Sequence, residues 1–396
     1  MRRYDLITPE GTRDYLFEEC FVKRETERRI HSIFQKMGYA ELITPGLEFY
    51  DVFNLNSHYF PQEELYKLTD NKGRLLVLRP DSTMPIARVV ATRLKDAMLP
   101  LRLYYNQPVY RFEPSLKGRS DEVVQTGIEL LGSSSTMADV EIVSAAVEVL
   151  SSTGAAYSLE LGDVGIFREL MHRLNATPAQ KEQIRSLIEE KNYPALNDLL
   201  DQMGSNKLTD ALKKLPTLFG GEEVFDKAAA LFQDARIEQL LDHLRALYLE
   251  VCEMDPNGRI MVDLGLVNKT DYYTGLVIKG YLEGCGEEVL SGGRYDKLLA
   301  EFGYDIPAVG MAVNVDAVAN TMAKKEKPTL SAPDVLVAAA EDYEAQAALA
   351  ARKLRSEGLI AEHALFSDME LVHAYARDKK ISRILFISEE STEVNG

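Results

Sequence analysis

Apolar positions recur at helical spacing in two stretches of the first half of the chain. Between residues 16 and 37 they fall three and four positions apart, and the positions between them are mostly charged. This spacing predicts an amphipathic helix with one buried face. Gly38 follows directly and suits the C-terminal cap of that helix. The same spacing predicts a second helix over residues 137–152.

Shorter apolar runs bounded by Gly, Pro and Asn predict strands on both sides of a long helical block. Residues 165–250 have helical spacing almost throughout and are interpreted as a helical insertion. Because strands precede and follow this block, residues 1–325 are predicted to form one α+β core with a mixed, mainly antiparallel sheet. The predicted strands lie at residues 75–78, 101–105, 127–131, 157–161, 260–264, 276–281 and 309–313.

A polar, lysine-rich stretch at residues 323–328 is typical of a linker and divides the chain into two predicted domains. Beyond it, residues 331–396 alternate between strand and helix patterns and predict a small α/β domain. This segment holds seven Lys and Arg against twelve Asp and Glu, a net charge of −5. Such a charge disfavours contact with nucleic acid, which is bound mainly through phosphates.

Composition narrows the functional classes further. The whole chain carries a net charge of −17, which also argues against RNA binding. Its three cysteines have no CxxC spacing, so we expect neither a disulfide framework nor a metal site, and we expect a reducing cytoplasm. No run of eighteen apolar residues is present, so no membrane association is expected.

Polar and glycine-rich motifs recur at separated points of the predicted core. Taken singly, each has a simpler interpretation: a strand end, a pair of core aromatics or a turn. In chain order they are residues 38–48, with Gly38-Tyr39, Thr44-Pro45 and Glu48; Arg79-Pro80-Asp81-Ser82-Thr83; residues 110–129, with Tyr110-Arg111-Phe112-Glu113, Lys117-Gly118-Arg119 and Gln125 to Glu129; Asp271-Tyr272-Tyr273-Thr274-Gly275; and Gly292-Gly293-Arg294-Tyr295-Asp296.

Together and in this order, the motifs resemble those of histidyl-tRNA synthetases, which have the class II synthetase fold. The resemblance covers residues 5 to about 320 and more weakly the C-terminal domain, which then resembles a truncated anticodon-binding domain. It implies a dimer formed through residues 38–48. It also implies a histidine site, because carboxylates, hydroxyls and an amide suit an ammonium group and an imidazole. The implied histidine-binding residues are Asp81, Thr83, Arg111, Gln125, Glu129, Tyr272 and Tyr273.

Four positions depart from the synthetase pattern. Where the resemblance places arginines that bind the histidine carboxylate and the γ-phosphate of ATP, this chain has Asn268 and Ala317. The second arginine and the adenine-stacking phenylalanine of motif 2 are replaced by Asp121 and Val123. Because adenylate formation needs positive charge at the phosphates, we expect aminoacylation to be absent and no residue to be catalytic.

A retained histidine site with lost arginines resembles the regulatory subunits of the short-form ATP phosphoribosyltransferase. That resemblance implies a noncatalytic subunit that activates a separate transferase chain and binds L-histidine for feedback inhibition in the first step of histidine biosynthesis. It implies a hetero-octamer of four chains of each kind, no cofactor and no tRNA. An active but divergent histidyl-tRNA synthetase and another synthetase paralogue remain alternatives.

Overall fold

The computed structural model describes residues 3–55, 59–112, 120–256, 258–267, 272–325 and 330–389, and the backbone of residues 392–395. The chain divides into two compact units, Met1–Lys327 and Pro328–Gly396. Each unit has its own hydrophobic core and is described by itself. No described helix is both long enough and apolar enough to cross a membrane.

A nine-stranded mixed sheet forms the centre of the first unit. Its strands are β1 (Ala40–Glu41), β5 (Leu101–Tyr110), β6 (Glu122–Leu131), β7 (Tyr157–Asp163), β8 (Phe219–Gly220), β9 (Arg259–Asp263), β10 (Leu276–Leu282), β11 (Leu290–Arg294) and β12 (Ala308–Asn314). Their order in the sheet is β1-β5-β6-β12-β11-β10-β7-β9-β8, and of these described pairs only β1–β5 and β7–β9 are parallel. The predicted mixed, mainly antiparallel sheet is therefore confirmed.

The prediction that all strands of this unit share one sheet was wrong. Residues 75–78 belong to a separate antiparallel sheet with order β2-β4-β3, made of β2 (Leu47–Phe49), β3 (Lys67–Thr69) and β4 (Leu75–Leu78). An apolar run indicates a strand but carries no information about its partner, since pairing depends on distant contacts. The core side of this small sheet includes Val77, which is fully buried.

Side chains alternate between the two faces of the large sheet. One face packs against α1 (Phe17–Lys36), α3 (Thr136–Ser152) and α10 (Val315–Lys325), and alternate strand residues such as Ile128 and Val309 enter that core. The opposite face is covered in part by α2 (Thr83–Arg93) through Met84 and Val90. The uncovered stretch of this second face carries the polar residues described below.

The insertion is a set of six α-helices. They are α4 (Val164–Arg173), α5 (Pro178–Glu189), α6 (Tyr193–Gln202), α7 (Lys207–Lys214), α8 (Glu223–Leu231) and α9 (Ala235–Met254). All of them except α8 begin with a side-chain cap. Thr177 and Gln180 form a reciprocal capping box at α5, which satisfies backbone groups left free at the helix start. The two-residue strand β8 interrupts this block and extends the edge of the large sheet.

The second unit is a four-stranded sheet with one helix on each face. Its strands, in the order β14-β13-β15-β16, are β13 (Val335–Ala339), β14 (Ala361–His363), β15 (Arg383–Ile387) and β16 (Thr392–Asn395). Helix α11 (Glu344–Ser356) packs against Val335 and Val337, and α12 (Met369–Lys379) packs against Leu336 and Ala338. The kinship of this unit with anticodon-binding domains stays a prediction.

Candidate functional site

A cavity of about 1030 Å³ opens on the polar face of the nine-stranded sheet. All the predicted histidine-binding residues line it: Asp81, Thr83, Arg111, Gln125, Glu129, Tyr272 and Tyr273. They come from α2 and its preceding loop, from β6, and from the loops beside β5 and β10. Segments almost 200 residues apart in the chain therefore meet at one place.

Glycines make room for the polar side chains on the cavity floor. Gly310 of β12 lies directly opposite Glu129 of β6, and a Cβ atom at residue 310 would overlap the Glu129 carboxylate. On β11, a Cβ atom at Gly293 would lie 2.8 Å from Cδ1 of Tyr273. These positions exclude any larger residue because the neighbouring side chains already occupy the space.

Glu129 is almost completely buried and both of its carboxylate oxygens accept hydrogen bonds. The Thr83 hydroxyl donates to Oε1 at 2.7 Å, and the Tyr295 hydroxyl donates to Oε2. The pKa of Glu129 is raised to about 8. Burial is the main cause and the nearby charge of Asp81 adds to it, whereas the two hydrogen bonds act in the opposite direction. A cationic or hydrogen-bond-donating ligand would therefore stabilise the ionised carboxylate.

Asp81 is a second buried carboxylate that lines the cavity, next to the start of α2. Its Oδ1 accepts a hydrogen bond from the backbone N–H of Met84 at 2.9 Å. Burial raises the pKa of Asp81, whereas the positive charge of Arg111 lowers it. The Arg111 guanidinium donates through Nε to the carbonyl of Pro80 at 2.7 Å and lies 5.6 Å from the centre of the Phe60 ring.

Three tyrosines enclose the space between these carboxylates. The ring centres of Tyr272 and Tyr273 are 4.8 Å apart, and those of Tyr272 and Tyr295 are 5.7 Å apart. Tyr295 was not among the predicted site residues, although it contacts Glu129 directly. Strand alternation could have identified it, since Tyr295 follows Gly293 by two residues and therefore shares its face.

Three of the four positions that depart from the resembled synthetase pattern, Asp121, Val123 and Ala317, line the same cavity. Ala317, in the first turn of α10, and Val123 of β6 both line it with apolar side chains. Asp121 also lines the cavity and accepts a hydrogen bond from the Tyr66 hydroxyl. Asn268 lies outside the described residues, as do Glu113, the 117–119 segment and Asp271 of the motifs.

The N-terminal segment of residues 11–23 lies next to these positions and is bound there by Asp316. Sequence analysis did not identify Asp316 as a site residue. The Asp316 carboxylate accepts hydrogen bonds from the Tyr15 hydroxyl at 2.7 Å and the Val124 backbone N–H at 2.8 Å, and it pairs with the Lys23 ammonium. At the other end of the segment, Gly11 has a φ of +76°, which favours glycine, and its carbonyl accepts from Asp121 N–H at 2.7 Å.

The charge around the cavity is predominantly negative. Among the described residues that line it, three carry positive charge: Arg13, Arg111 and Lys279. Eight carry carboxylates: Glu64, Asp81, Asp121, Glu129, Glu189, Glu287, Glu288 and Asp316. No group of three or more His, Cys, Asp and Glu within the described ranges could hold a metal ion. The lining suits an amino acid with a basic side chain better than a polyphosphate.

Comparison with known proteins defines the class of the first unit. A family model described as histidyl-tRNA synthetase matches residues 11–318. A solved histidyl-tRNA synthetase from Nostoc sp. PCC 7120 has the same fold, with a TM-score of 0.79 and 19% identity over 99% of this chain and 97% of that chain. The predicted class II synthetase-like fold is confirmed, and the protein is of the histidyl-tRNA synthetase class.

Relatives over the full length define the family more closely. The ATP phosphoribosyltransferase regulatory subunit of Clostridium acetobutylicum is 41% identical, covering 95% of this chain and 94% of the relative. The regulatory subunit of Bacillus cereus strain AH187 is 34% identical, covering 99% and 94%. A Bacillus halodurans C structure described as an ATP phosphoribosyltransferase regulatory subunit/histidyl-tRNA synthetase has a TM-score of 0.85 and 29% identity, covering 97% and 99%. The chain belongs to the family of ATP phosphoribosyltransferase regulatory subunits.

The buried Glu129 carboxyl predicts a specific dependence of stability on pH. Because its pKa is raised from 4.5 to about 8, the folded protein holds a proton that the unfolded chain releases. The free energy of unfolding contributed by this group therefore falls between about pH 4.5 and about pH 8 and is level above that range. In Glu129→Gln this loss is absent, so we expect the variant to gain stability relative to the wild type across this window.

Urea unfolding at about pH 5 and about pH 8, without added histidine, measures this difference. Glu122→Gln is the matched control, because Glu122 lies on the same strand but is only partly buried. An identical pH dependence for the wild type and Glu129→Gln would contradict the assignment of the raised pKa to this carboxyl.

Proposed function

We propose that this chain is a noncatalytic subunit that activates a separate short-form ATP phosphoribosyltransferase chain and binds L-histidine for feedback inhibition. The observation that carries the proposal is one cavity with two unlike parts. One part has paired carboxylates, hydroxyls and an amide suited to histidine. The other part has lost the cations that would bind the phosphates of ATP.

Histidine fits the polar groups of the first part by their chemistry. Its α-ammonium group pairs with Asp81 and with the acceptor oxygens of Thr83 and Gln125. Its imidazole donates to Glu129, whose orientation Tyr295 and Thr83 fix through hydrogen bonds. Arg111 supplies the positive charge for the carboxylate of the ligand. A site of buried polar partners rejects amino acids that leave those partners unpaired.

Adenylate formation lacks support in the second part. The transition state gains negative charge on the phosphates, and each missing preorganised donor costs about 3–4 kcal/mol of barrier. Ala317 provides no charge, and the carboxylate of Asp316 lies beside it and is bound by Tyr15 and Lys23. We therefore propose that the chain catalyses no aminoacylation and that its acidic C-terminal unit binds no tRNA.

Histidine-dependent exchange of pyrophosphate into ATP tests the loss of catalysis. We expect exchange below about one-hundredth of that of an active histidyl-tRNA synthetase assayed at the same concentration, because at least one phosphate-binding cation is absent. Exchange within about tenfold of the active enzyme would instead support the divergent synthetase.

A titration of the reconstituted complex with histidine tests the proposed sensing role. In Glu129→Ala we expect inhibition of the transferase to require about 5–150 times more histidine, since losing one buried partner costs about 1–3 kcal/mol. Linkage requires the same factor in direct histidine binding. Activation without histidine should be retained, because it depends on the contact between subunits.

Glu122→Ala is the control for this titration, since it removes a carboxylate of the same strand that does not line the cavity. Unchanged inhibition by Glu129→Ala in a fully activated complex would place the histidine sensor elsewhere. Loss of both stability and activation would show that Glu129 has only a structural role.

We also propose that two copies of the chain associate, within a hetero-octamer of four chains of each kind. The small sheet beside residues 38–48 has an apolar outer side, where Leu47, Phe49 and Leu68 are each more than 40% exposed. An exposed apolar patch of this kind is typical of a subunit interface.

Light scattering at micromolar concentration should give the mass of a dimer, and Phe49→Asp should shift it towards the monomer, because a charge would be buried at the interface. Leu365→Asp, at a side chain that is 91% exposed in the C-terminal unit, is the control. A monomeric wild type would contradict the proposed interface.

A further inference from the structure

Three charged side chains join the cavity walls to the helical insertion. Arg294 ends β11, Asp139 lies in the first turn of α3, and His243 lies in the middle of α9. Arg294 Nε donates to Asp139 Oδ1 at 2.9 Å, and His243 Nε2 lies 3.5 Å from Asp139 Oδ2. The Asp139 side chain is 4% exposed and that of His243 is 40% exposed. Of these two side chains, His243 is therefore the one in contact with solvent.

Arg294 holds the two loops that carry the tyrosines of the cavity. Its carbonyl accepts a hydrogen bond from Thr274 N–H at 2.6 Å, and Thr274 directly follows Tyr273. Its Nη1 donates to Asp296 Oδ1 at 3.1 Å, and Tyr295 lies between these two residues. Arg294 is therefore bound to a neighbour of each tyrosine, to Thr274 through its backbone carbonyl and to Asp296 through its guanidinium.

We propose that His243 is a positioning residue for the cavity, in that its positive charge holds Asp139 against Arg294 and thereby fixes Tyr273 and Tyr295. In the regulatory role proposed above, on which this inference rests, histidine binding and the position of α9 are coupled through this contact. Because coupling is reciprocal, anything that displaces α9 also changes the affinity for histidine.

The charges that face His243 favour its protonated form. Asp139 on α3 and Asp163 at the end of β7 attract the imidazolium, whereas Arg294 repels it. The pKa of His243 is raised above 6.5, mainly by the hydrogen bond to Asp139. Burial raises the pKa of Asp163 to about 6, and that carboxyl also faces Arg236 on α9. The contact is therefore strongest when His243 is protonated and weakens as the pH rises through its pKa.

Calorimetric titration of the purified full chain with L-histidine tests the proposal in the wild type, His243→Gln and His243→Arg at about pH 6 and about pH 8.5. At the lower pH we expect His243→Gln to bind about fivefold more weakly than the wild type. His243→Arg should bind as tightly as the wild type at pH 6 and more tightly than it at pH 8.5. The ratio of affinities at one pH cancels the titration of the ligand itself. His172→Gln, at an exposed position of α4, is the control.

Hydrogen exchange of residues 235–254 supplies a second measurement. Added histidine should slow exchange in α9 of the wild type and of His243→Arg, and slow it less in His243→Gln. Equal affinities in all variants, or a weakening that His243→Arg does not restore, would overturn the positioning role while leaving the histidine site intact. Failure of the wild type to bind histidine would overturn the proposed function itself.

Discussion

The burial of the Glu129 carboxyl is the constraint on which the rest of the cavity depends. A buried carboxylate is costly unless hydrogen bonds or an opposite charge compensate it. Thr83 and Tyr295 supply hydrogen bonds, and Gly310 leaves the space in which the side chain lies. Burial is the main reason why the pKa of Glu129 is raised to about 8, and the nearby charge of Asp81 adds to it. The histidine proposed for this site would supply the compensating charge or hydrogen bond.

In the second part of the cavity the Asp316 carboxylate differs from that of Glu129, because the chain itself supplies a cation and hydrogen-bond donors for it. Asp316 is bound by Tyr15, Lys23 and the backbone of Val124. These contacts join the N-terminal segment to α10 and the sheet, so this carboxylate stabilises the fold beside Ala317, where the resemblance places an arginine.

Local pattern predicted much of the fold, since helix and strand periodicity depend on neighbouring residues. The helix predicted over residues 16–37 is observed at Phe17–Lys36, and the one over 137–152 at Thr136–Ser152. Strand partners could not be predicted in the same way, and Leu75–Leu78 lies in a separate sheet. At the site, residues of the resembling motifs line one cavity, whereas Asp316 was missed because its partners lie about 300 residues away in the chain.

Under the proposed function, the two parts of the cavity account for an amino-acid site in a chain that catalyses no aminoacylation. Ground-state binding and transition-state stabilisation are separate contributions, and only the latter accelerates a reaction. In the proposed site, Asp81 and Glu129 would contact the α-ammonium group and the imidazole, which keep their charge during adenylation, so these two residues would contribute affinity alone. The positions of Ala317, Asp121 and Val123 are, by the resemblance, those that would bind the phosphates and adenine of ATP. Replacing them removes transition-state stabilisation and leaves affinity for the amino acid, which is the property that a proposed sensor of histidine requires.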